Sequence, residues 1–382
     1  MNVSIPDSEF KERVTKVQRI MAEKKVDTLL AFSTEAEPAY GRYFADYWPS
    51  FETTAVLIPA SGDAVLLIGP ESLTYARSRS RIERIMQLED FRESSQPEYP
   101  GAVLPTWHDV FAEFLTEHLG IAGWHTFPHA IYEHVREGLG NGDVVPADDV
   151  VRPVMVRKSE AEIRCLRESA RLSEIGLEAV LDNIKPGMTE IQVVGIATAA
   201  MLEHGAEATG YPIWCCSGPN STQAISRPTH KKIKKGEIVH LQLGAKVSGY
   251  STSIARPVVL GSCTDEMRRF LQVGYQAENM AIDLMQSGTR ASEVARKVHG
   301  WIADQGYGDT ILYGPAHGCG QMECEWPFVE TSTEVVLEPN MTFQVDVFLA
   351  KPEMGFRWED SIVVRDGPAE QLSSLRREVI VL

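Results

Sequence analysis

Three residues suited to proton transfer stand in unusual settings in the C-terminal part of the chain. His317 follows Gly-Pro-Ala and precedes Gly-Cys-Gly. Asp346 sits inside FQVDVF, between apolar neighbours, where an acid is costly to bury unless it is paired. Glu359 lies in RWED, two residues after Arg357. Two acids held close together push one pKa up, so that one donates while the other accepts, and an imidazole passes protons near neutral pH. The set suits hydrolysis of an activated C–N bond, the binding of a cationic substrate, or attack by a carboxylate as nucleophile. Each residue also has a plainer role: a turn histidine held by one hydrogen bond, an internally paired acid, and a salt-bridge partner of Arg357.

Residues 240–261, HLQLGAKVSGYSTSIARPVVLG, read as a strand, a tight turn and a second strand, both apolar enough to be buried. Gln242 and Ser253 lie eleven apart in this frame, as substrate-orienting groups or as satisfied core polar residues. Cys319 and Cys324 bracket the glycine turn beside His317, but no third group orients them as a nucleophile pair. Cys324 is therefore read with the pocket lining, together with Trp214 of YPIW, Trp326 and Arg357. The aromatic stretch YGRYFADYWPSFE (40–52) is either interface packing or a cover in which Tyr43, Trp48 and Phe51 close a small, cation-friendly pocket.

The elements that must position these groups fall into two parts. Residues 1–152 alternate a helix through FKERVTKVQRIMAEKK, the strands DTLLAFS, TAVLIPA and DAVLLIG, and helices near DVFAEFLTEHLG and HAIYEHVREGLG. This is a small α/β domain. A boundary falls at about 150–158, where Ser159 and Glu162 form a capping box ahead of a long helix. Residues 153–382 carry an internal repeat: GMTEIQVVGIATAAMLEHGA (187–206) resembles GTRASEVARKVHGWIADQGY (288–307), and a pair of long strands follows each copy. Two helix-plus-hairpin units of like pattern predict an α+β domain with pseudo-twofold symmetry and a ligand cleft between its halves.

The chain has 382 residues and a formal charge of -16. That balance argues against nucleic-acid binding, and the basic run HKKIKK (230–235) reads as a solvated turn. No apolar run reaches the ~20 residues of a membrane helix. The start of the chain lacks a signal-peptide pattern, so the expected setting is cytoplasmic, with the six cysteines as free thiols.

Taken together, SGPNS (217–221), RPTHKKIKKGEIV (227–239), GAKVSGY (244–250), AHGCG (316–320), LEPNMTFQVD (337–346) and RWED (357–360) resemble the creatinase, aminopeptidase P and prolidase superfamily, the pita-bread fold. The resemblance covers nearly the whole chain. It implies a creatinase-like N-terminal domain, a pita-bread catalytic domain and a homodimer, in which the region around Tyr43 and Trp48 reaches over a neighbouring subunit's site. It also implies a dinuclear metal site of two Asp, one His and two Glu. Those positions fall on Gln242, Ser253, His317, Asp346 and Glu359. Further family histidines fall on Ile225 and Cys324.

An amide and a hydroxyl cannot offset the charge of two neighbouring divalent ions, so two metals are not expected. The main expectation is then a metal-independent hydrolase of a C–N bond in a small non-peptide molecule, such as an amidine, a guanidine or a ring amide. It would need no cofactor, and His317, Asp346 and Glu359 would be its acid/base set. It resembles creatinase and ectoine hydrolase in kind, although Ile225 and Ala255 stand where creatinase has its catalytic His and Glu, so creatine is not the expected substrate. The alternatives are an Xaa-Pro dipeptidase-like metallopeptidase with a degenerate, single-ion site, a lyase acting on a small zwitterion, and a non-catalytic binding protein.

Overall fold

The computed structural model describes residues 3–382. Its contacts divide the chain into two compact units, Ile5–Met155 and Val156–Leu382, the second also holding Val3 and Ser4.

In the N-terminal unit six strands form one sheet. Thr28–Ser33 lies inside it, antiparallel to Thr54–Pro59 and parallel to His118–Ala122. Every residue of Thr28–Ser33 and Thr54–Pro59 is buried, as expected for strands covered on both faces. The helix read near DVFAEFLTEHLG is shorter than expected. It spans Trp107–Phe114, Leu115 turns left-handed at φ 52°, and His118–Ala122 is a strand. The short apolar run HLGIA fits either state, and pairing with the buried Thr28–Ser33 decides it.

The C-terminal unit is built on a nine-stranded sheet. Its centre is two long hairpins, Ile238–Leu243 with Ile254–Val259 and Thr342–Lys351 with Met354–Val363. Each hairpin is covered on one face by a pair of helices. The capping box of Ser159 and Glu162 opens the helix Glu160–Asn183, and Thr189 caps Glu190–Glu203. Their side chains Leu172, Leu177, Val193 and Met201 pack with Val239, Leu241 and Val258 of the first hairpin. In the second half, Phe270 and Ala277 of Asp265–Leu284 and Val294 and Val298 of Ala291–Asp304 pack with Phe343, Val345, Phe356 and Trp358. A Cβ on Gly274 would stand 2.0 Å from the Phe356 ring, so glycine lets this helix approach the hairpin. Burying each large apolar side chain in these clusters contributes ~1.5–3 kcal/mol.

Strand alternation then selects what faces the other side of the sheet. In FQVDVF, Phe343, Val345 and Val347 face the helices, which leaves Gln344, Asp346 and Phe348 on the opposite face. In RWED, Trp358 and Asp360 point to the helix side and Arg357 and Glu359 away from it. Asp360 is fully buried there, held by Arg256 at 2.8 Å and Arg377 at 2.6 Å.

The first hairpin is not one continuous turn. Its arms leave the large sheet after Leu243 and before Ile254 and continue into a three-stranded ribbon, where Ser248 and Gly249, both with positive φ, make the turn. Gly244 stands at the break, where a Cβ would lie 2.0 Å from the Thr252 carbonyl oxygen. Ser253 sits at the same break, outside the ladder.

Candidate active site

The site lies on the sheet face opposite the helices. Asp346 and Glu359 are directly opposed across the second hairpin, and His317 comes from the neighbouring strand Ala316–Gly318, opposite Gln344. One ligand atom each from His317, Asp346 and Glu359 lies within 4.8 Å of the others, and all three residues are buried. His317 Nδ1 lies 3.1 Å from the Gly318 carbonyl oxygen, which sets it as the donating nitrogen. That leaves Nε2 directed to the acids, 3.7 Å from Glu323 Oε1.

The first hairpin contributes two donors. The Gln242 amide nitrogen donates to Glu359 Oε2 at 2.8 Å, and Ser253 Oγ donates to the same oxygen at 2.7 Å. Ser253 Oγ also meets the Tyr211 hydroxyl at 2.6 Å. On its other side the Gln242 amide oxygen accepts from Arg357 Nη1. Arg357 fills the centre of the arrangement. Its Nε stands 2.9 Å from Asp346 Oδ1, as an ion pair without hydrogen-bond alignment. Its Nη2 donates to the Ala224 carbonyl at 3.0 Å and to the Tyr313 hydroxyl at 2.5 Å, and that hydroxyl donates to Asp346 Oδ2 at 2.8 Å. The Trp214 ring lies 4.9 Å from the guanidinium carbon.

Burial dominates the electrostatics. It pushes the Glu359 carboxyl well above the ordinary range, and the nearby acids Asp346 and Glu323 add to the effect. It also raises Glu323, to about 7, against the pull of Arg357. Burial works against a charge on His317, yet the hydrogen bond and charge of Cys324, with Asp346 and Glu359, lift it to about 9. Three carboxyl groups thus face one guanidinium and one imidazole. Asp346 Oδ1 and Glu359 Oε1 are buried and make no hydrogen bond. Once His317 gives up its proton, its ring nitrogen and these two oxygens make a mixed N/O donor set for one divalent cation.

The same residues do not fit two ions. Gln242 and Ser253 carry no charge, and they occupy Glu359 Oε2 as donors.

Most of the residues expected from sequence come together here: His317, Asp346, Glu359, Gln242, Ser253, Arg357 and Trp214, with Cys324 hydrogen-bonded to His317. Trp326 is 40% exposed on Glu325–Val329, the strand that also places Phe328 opposite His317. Ile225 is exposed and offers nothing to the cluster. Tyr43 and Trp48 belong to the N-terminal unit, and the expectation that Tyr43 lines a pocket needs correction there. Tyr43 is buried, its ring 4.2 Å from the Arg13 guanidinium and its hydroxyl donating to Val154 O, because the short helix Ala39–Ala45 turns it into that unit's core. Trp48 is half-buried and donates through Nε1 to the Glu35 carbonyl. Sequence reasoning missed Glu323 and Tyr313, and reached Tyr211 only as part of the stretch YPIW. Glu323 had one signal, an acid within a glycine- and thiol-rich turn; Tyr313 had none.

A sheet carrying two helix-covered hairpins, with an imidazole and opposed carboxylates on its open face, defines a pita-bread hydrolase domain preceded by a creatinase-type α/β domain. The chain belongs to metallopeptidase family M24, whose model matches residues 164–366, and residues 13–154 match the creatinase/prolidase N-terminal domain. It is 24% identical over 374 residues to an Xaa-Pro dipeptidase of Pyrococcus furiosus, covering 97% of this chain and 100% of that protein. It is 24% identical over 392 residues to a creatinase of a Bacillus species, covering 96% and 90%. The solved structure of the prolidase from Pyrococcus horikoshii OT3 superposes with a TM-score of 0.84 at 23% identity, over 97% of this chain and 100% of that one.

These relatives correct the main expectation from sequence. A metal-independent hydrolase of a non-peptide C–N compound is not what they support, since Xaa-Pro dipeptidases match the chain along nearly its whole length. The expectation weighed two missing carboxylates and gave too little weight to the three donors that remain. Among the described residues, no helix is long and apolar enough to cross a membrane.

Proposed function

We propose that the protein is a peptidase of the Xaa-Pro dipeptidase type, working with a reduced site that takes a single divalent ion. The observation that carries this reading is the convergence of His317, Asp346 and Glu359 within 4.8 Å, with one oxygen on each acid that accepts no hydrogen bond. When bound, the ion would supply a polarised water and a Lewis acid for the scissile carbonyl.

The chain's own residues supply the rest. Gln242 and Ser253 hold Glu359 by Oε2 and so aim its Oε1. The Tyr313 hydroxyl holds Asp346 by Oδ2, and the Arg357 Nε faces its Oδ1 without a hydrogen bond. Glu323, with a carboxyl pushed up to about 7, is the group suited to carry a proton beside His317 near neutral pH. Phe328, 45% exposed with its ring 6.2 Å from that of His317, offers an apolar flank of the kind a proline ring fits. The six free thiols suit a reducing cytoplasm, and the family resemblance favours a homodimer.

The test is hydrolysis of Xaa-Pro dipeptides by protein stripped with chelator and reloaded with Mn2+, Co2+ or Zn2+ in turn. Release of free proline with at least one of these ions is the expected outcome. Absence of cleavage with all of them, in protein that demonstrably binds the ion, overturns the reading.

A further inference from the structure

The turn that brings Glu323 to the site is held by two buried lysines from the other half of the domain, Lys158 and Lys246. We infer that Lys158 is a positioning residue for Glu323: its ion pair with Glu325 clamps the turn and so sets the Glu323 carboxyl beside His317. This rests on the part given to Glu323 in the reading above.

The segment GCGQMECE (318–325) needs such a clamp. Between Gly318 and Glu325 it has no helix or strand, and none of its side chains is β-branched. A chain of this kind gains no order from its own propensities, and fixing it costs conformational entropy. Glu323 nonetheless has a set place, with Oε1 3.7 Å from His317 Nε2. The first part of the turn is pinned through its backbone. Cys319 N donates to the Thr342 carbonyl at 3.1 Å, Ser251 N donates to the Gly320 carbonyl at 2.8 Å, and Lys246 Nζ donates to the Gln321 carbonyl at 2.9 Å. Beyond Gln321 the turn closes on itself and on one ion pair. Gly320 N donates to the Met322 carbonyl at 2.9 Å, and Met322 N donates to Glu325 Oε1 at 3.0 Å. The other oxygen, Oε2, accepts from Lys158 Nζ at 3.1 Å.

Both side chains of the pair are buried, at 3% and 11% exposure, so neither can be removed without stranding the other's charge. The turn makes room for them: a Cβ on Gly320 would stand 2.7 Å from Lys158 Cε and 2.9 Å from Glu325 Oε2. Lys158 is itself fixed from the far side. Its N–H donates to the Asn340 carbonyl at 2.8 Å, and it immediately precedes Ser159, the cap of the long helix Glu160–Asn183. Met322 and Glu325 are thus tied together, and Glu323 and Cys324 are the two residues between them that are turned to His317. His317, Asp346 and Glu359 take no part in the clamp, so it can be broken with the donors of the ion left in place.

The experiment compares wild type, K158M, E323Q and K158M/E323Q, each loaded with Mn2+, in hydrolysis of an Xaa-Pro dipeptide. Ion content and amide hydrogen exchange are read on the same samples. K158M is expected to lower kcat ~10–10²-fold, with KM and ion content near those of the wild type and faster exchange within 320–325. In the E323Q background the same change should cost less than about twofold, because the group it positions is gone. A K158M as fast as wild type overturns the inference, as do ion content that falls in step with kcat and losses that multiply across the two changes. A wild type that cleaves no Xaa-Pro dipeptide, or an E323Q that keeps full kcat, defeats the reading above instead. Exchange then decides: faster exchange confined to 320–325 in K158M supports the clamp, and unchanged or generally faster exchange overturns it. Should K158M not fold, as judged by circular dichroism, K158M/E325Q takes its place under the same expectations. It leaves no unpaired buried charge and keeps an acceptor for the Met322 N–H.

Discussion

Asp346 and Arg357 meet diagonally across the second hairpin, Oδ1 to Nε at 2.9 Å, although the register sets Asp346 opposite Glu359 and Arg357 opposite Phe348. Both side chains are almost fully buried, at 5% and 4% exposure. Breaking a buried pair from one side leaves an uncompensated charge, which costs ~3–5 kcal/mol. Arg357→Met should therefore lower the unfolding free energy, read by urea titration, by that amount in the metal-free protein. Asp346→Asn in the same chain should restore part of the loss, because the two changes are coupled. If the two losses simply add, the pair does not hold the hairpin face together.

The folding pattern behind this pair was legible, and the pair itself was not. FQVDVF shows by alternation that Asp346 opposes the core face, and the Ser159–Glu162 capping box marks the start of the second unit within a few residues of the observed division. The repeated helix-plus-hairpin pattern also reads from sequence, since each copy carries its own apolar periodicity. Which residues meet across the sheet depends on register and on diagonal reach, and neither has a local signal. Glu323 and Tyr313 enter the site from turns and loops whose paths are set by the strands they join. For the same reason, an amide at Gln242 and a hydroxyl at Ser253 do not by themselves say what the site acts on.

Gln242 links a cation to an acid, and its two ends cannot be exchanged. Gln242→Glu keeps an acceptor for Arg357 but sets a second carboxyl against Glu359, where the amide donated at 2.8 Å. The expected cost is ~1–3 kcal/mol in thermal or urea unfolding at pH 8. Glu359→Gln added to that variant returns a donor to the contact and should recover most of the stability. A double variant no more stable than Gln242→Glu would show that the contact is not what orients the amide.

His240 lies two residues from Gln242 on the same face of its strand, fully buried, with neither ring nitrogen hydrogen-bonded. Burial, helped by the Arg357 charge, holds its pKa well below the usual histidine value. The folded state therefore keeps it neutral, while the unfolded chain takes up a proton below about pH 6.5. Stability from this group is present above that pH and is lost as pH falls toward the depressed folded value. His240→Phe should stabilise the protein by ~1–2 kcal/mol at pH 7.5, by removing unsatisfied polar atoms. The advantage should grow by up to about 1.4 kcal/mol for each pH unit below 6.5. Urea titrations of both proteins between pH 5 and about 8 measure this. A stability difference that stays constant across that range would mean the ring is not titrating on unfolding.

His317 and Glu323 can be separated by what each change spares. His317 supplies the only nitrogen of the donor cluster, so His317→Ala should weaken Mn2+ binding by at least about tenfold and abolish turnover together. Glu323 Oε1 lies 3.7 Å from His317 Nε2 and outside that cluster. Glu323→Gln keeps its shape and removes its proton chemistry. Ion stoichiometry should stay unchanged and KM should move little, while kcat for an Xaa-Pro dipeptide falls by ~10²–10⁴-fold, the range of a lost general acid or base. If ion binding falls in step with kcat, Glu323 is a ligand of the ion and not a proton carrier. If neither changes, it is a structural neighbour of His317, and the proton in the reaction travels by another group.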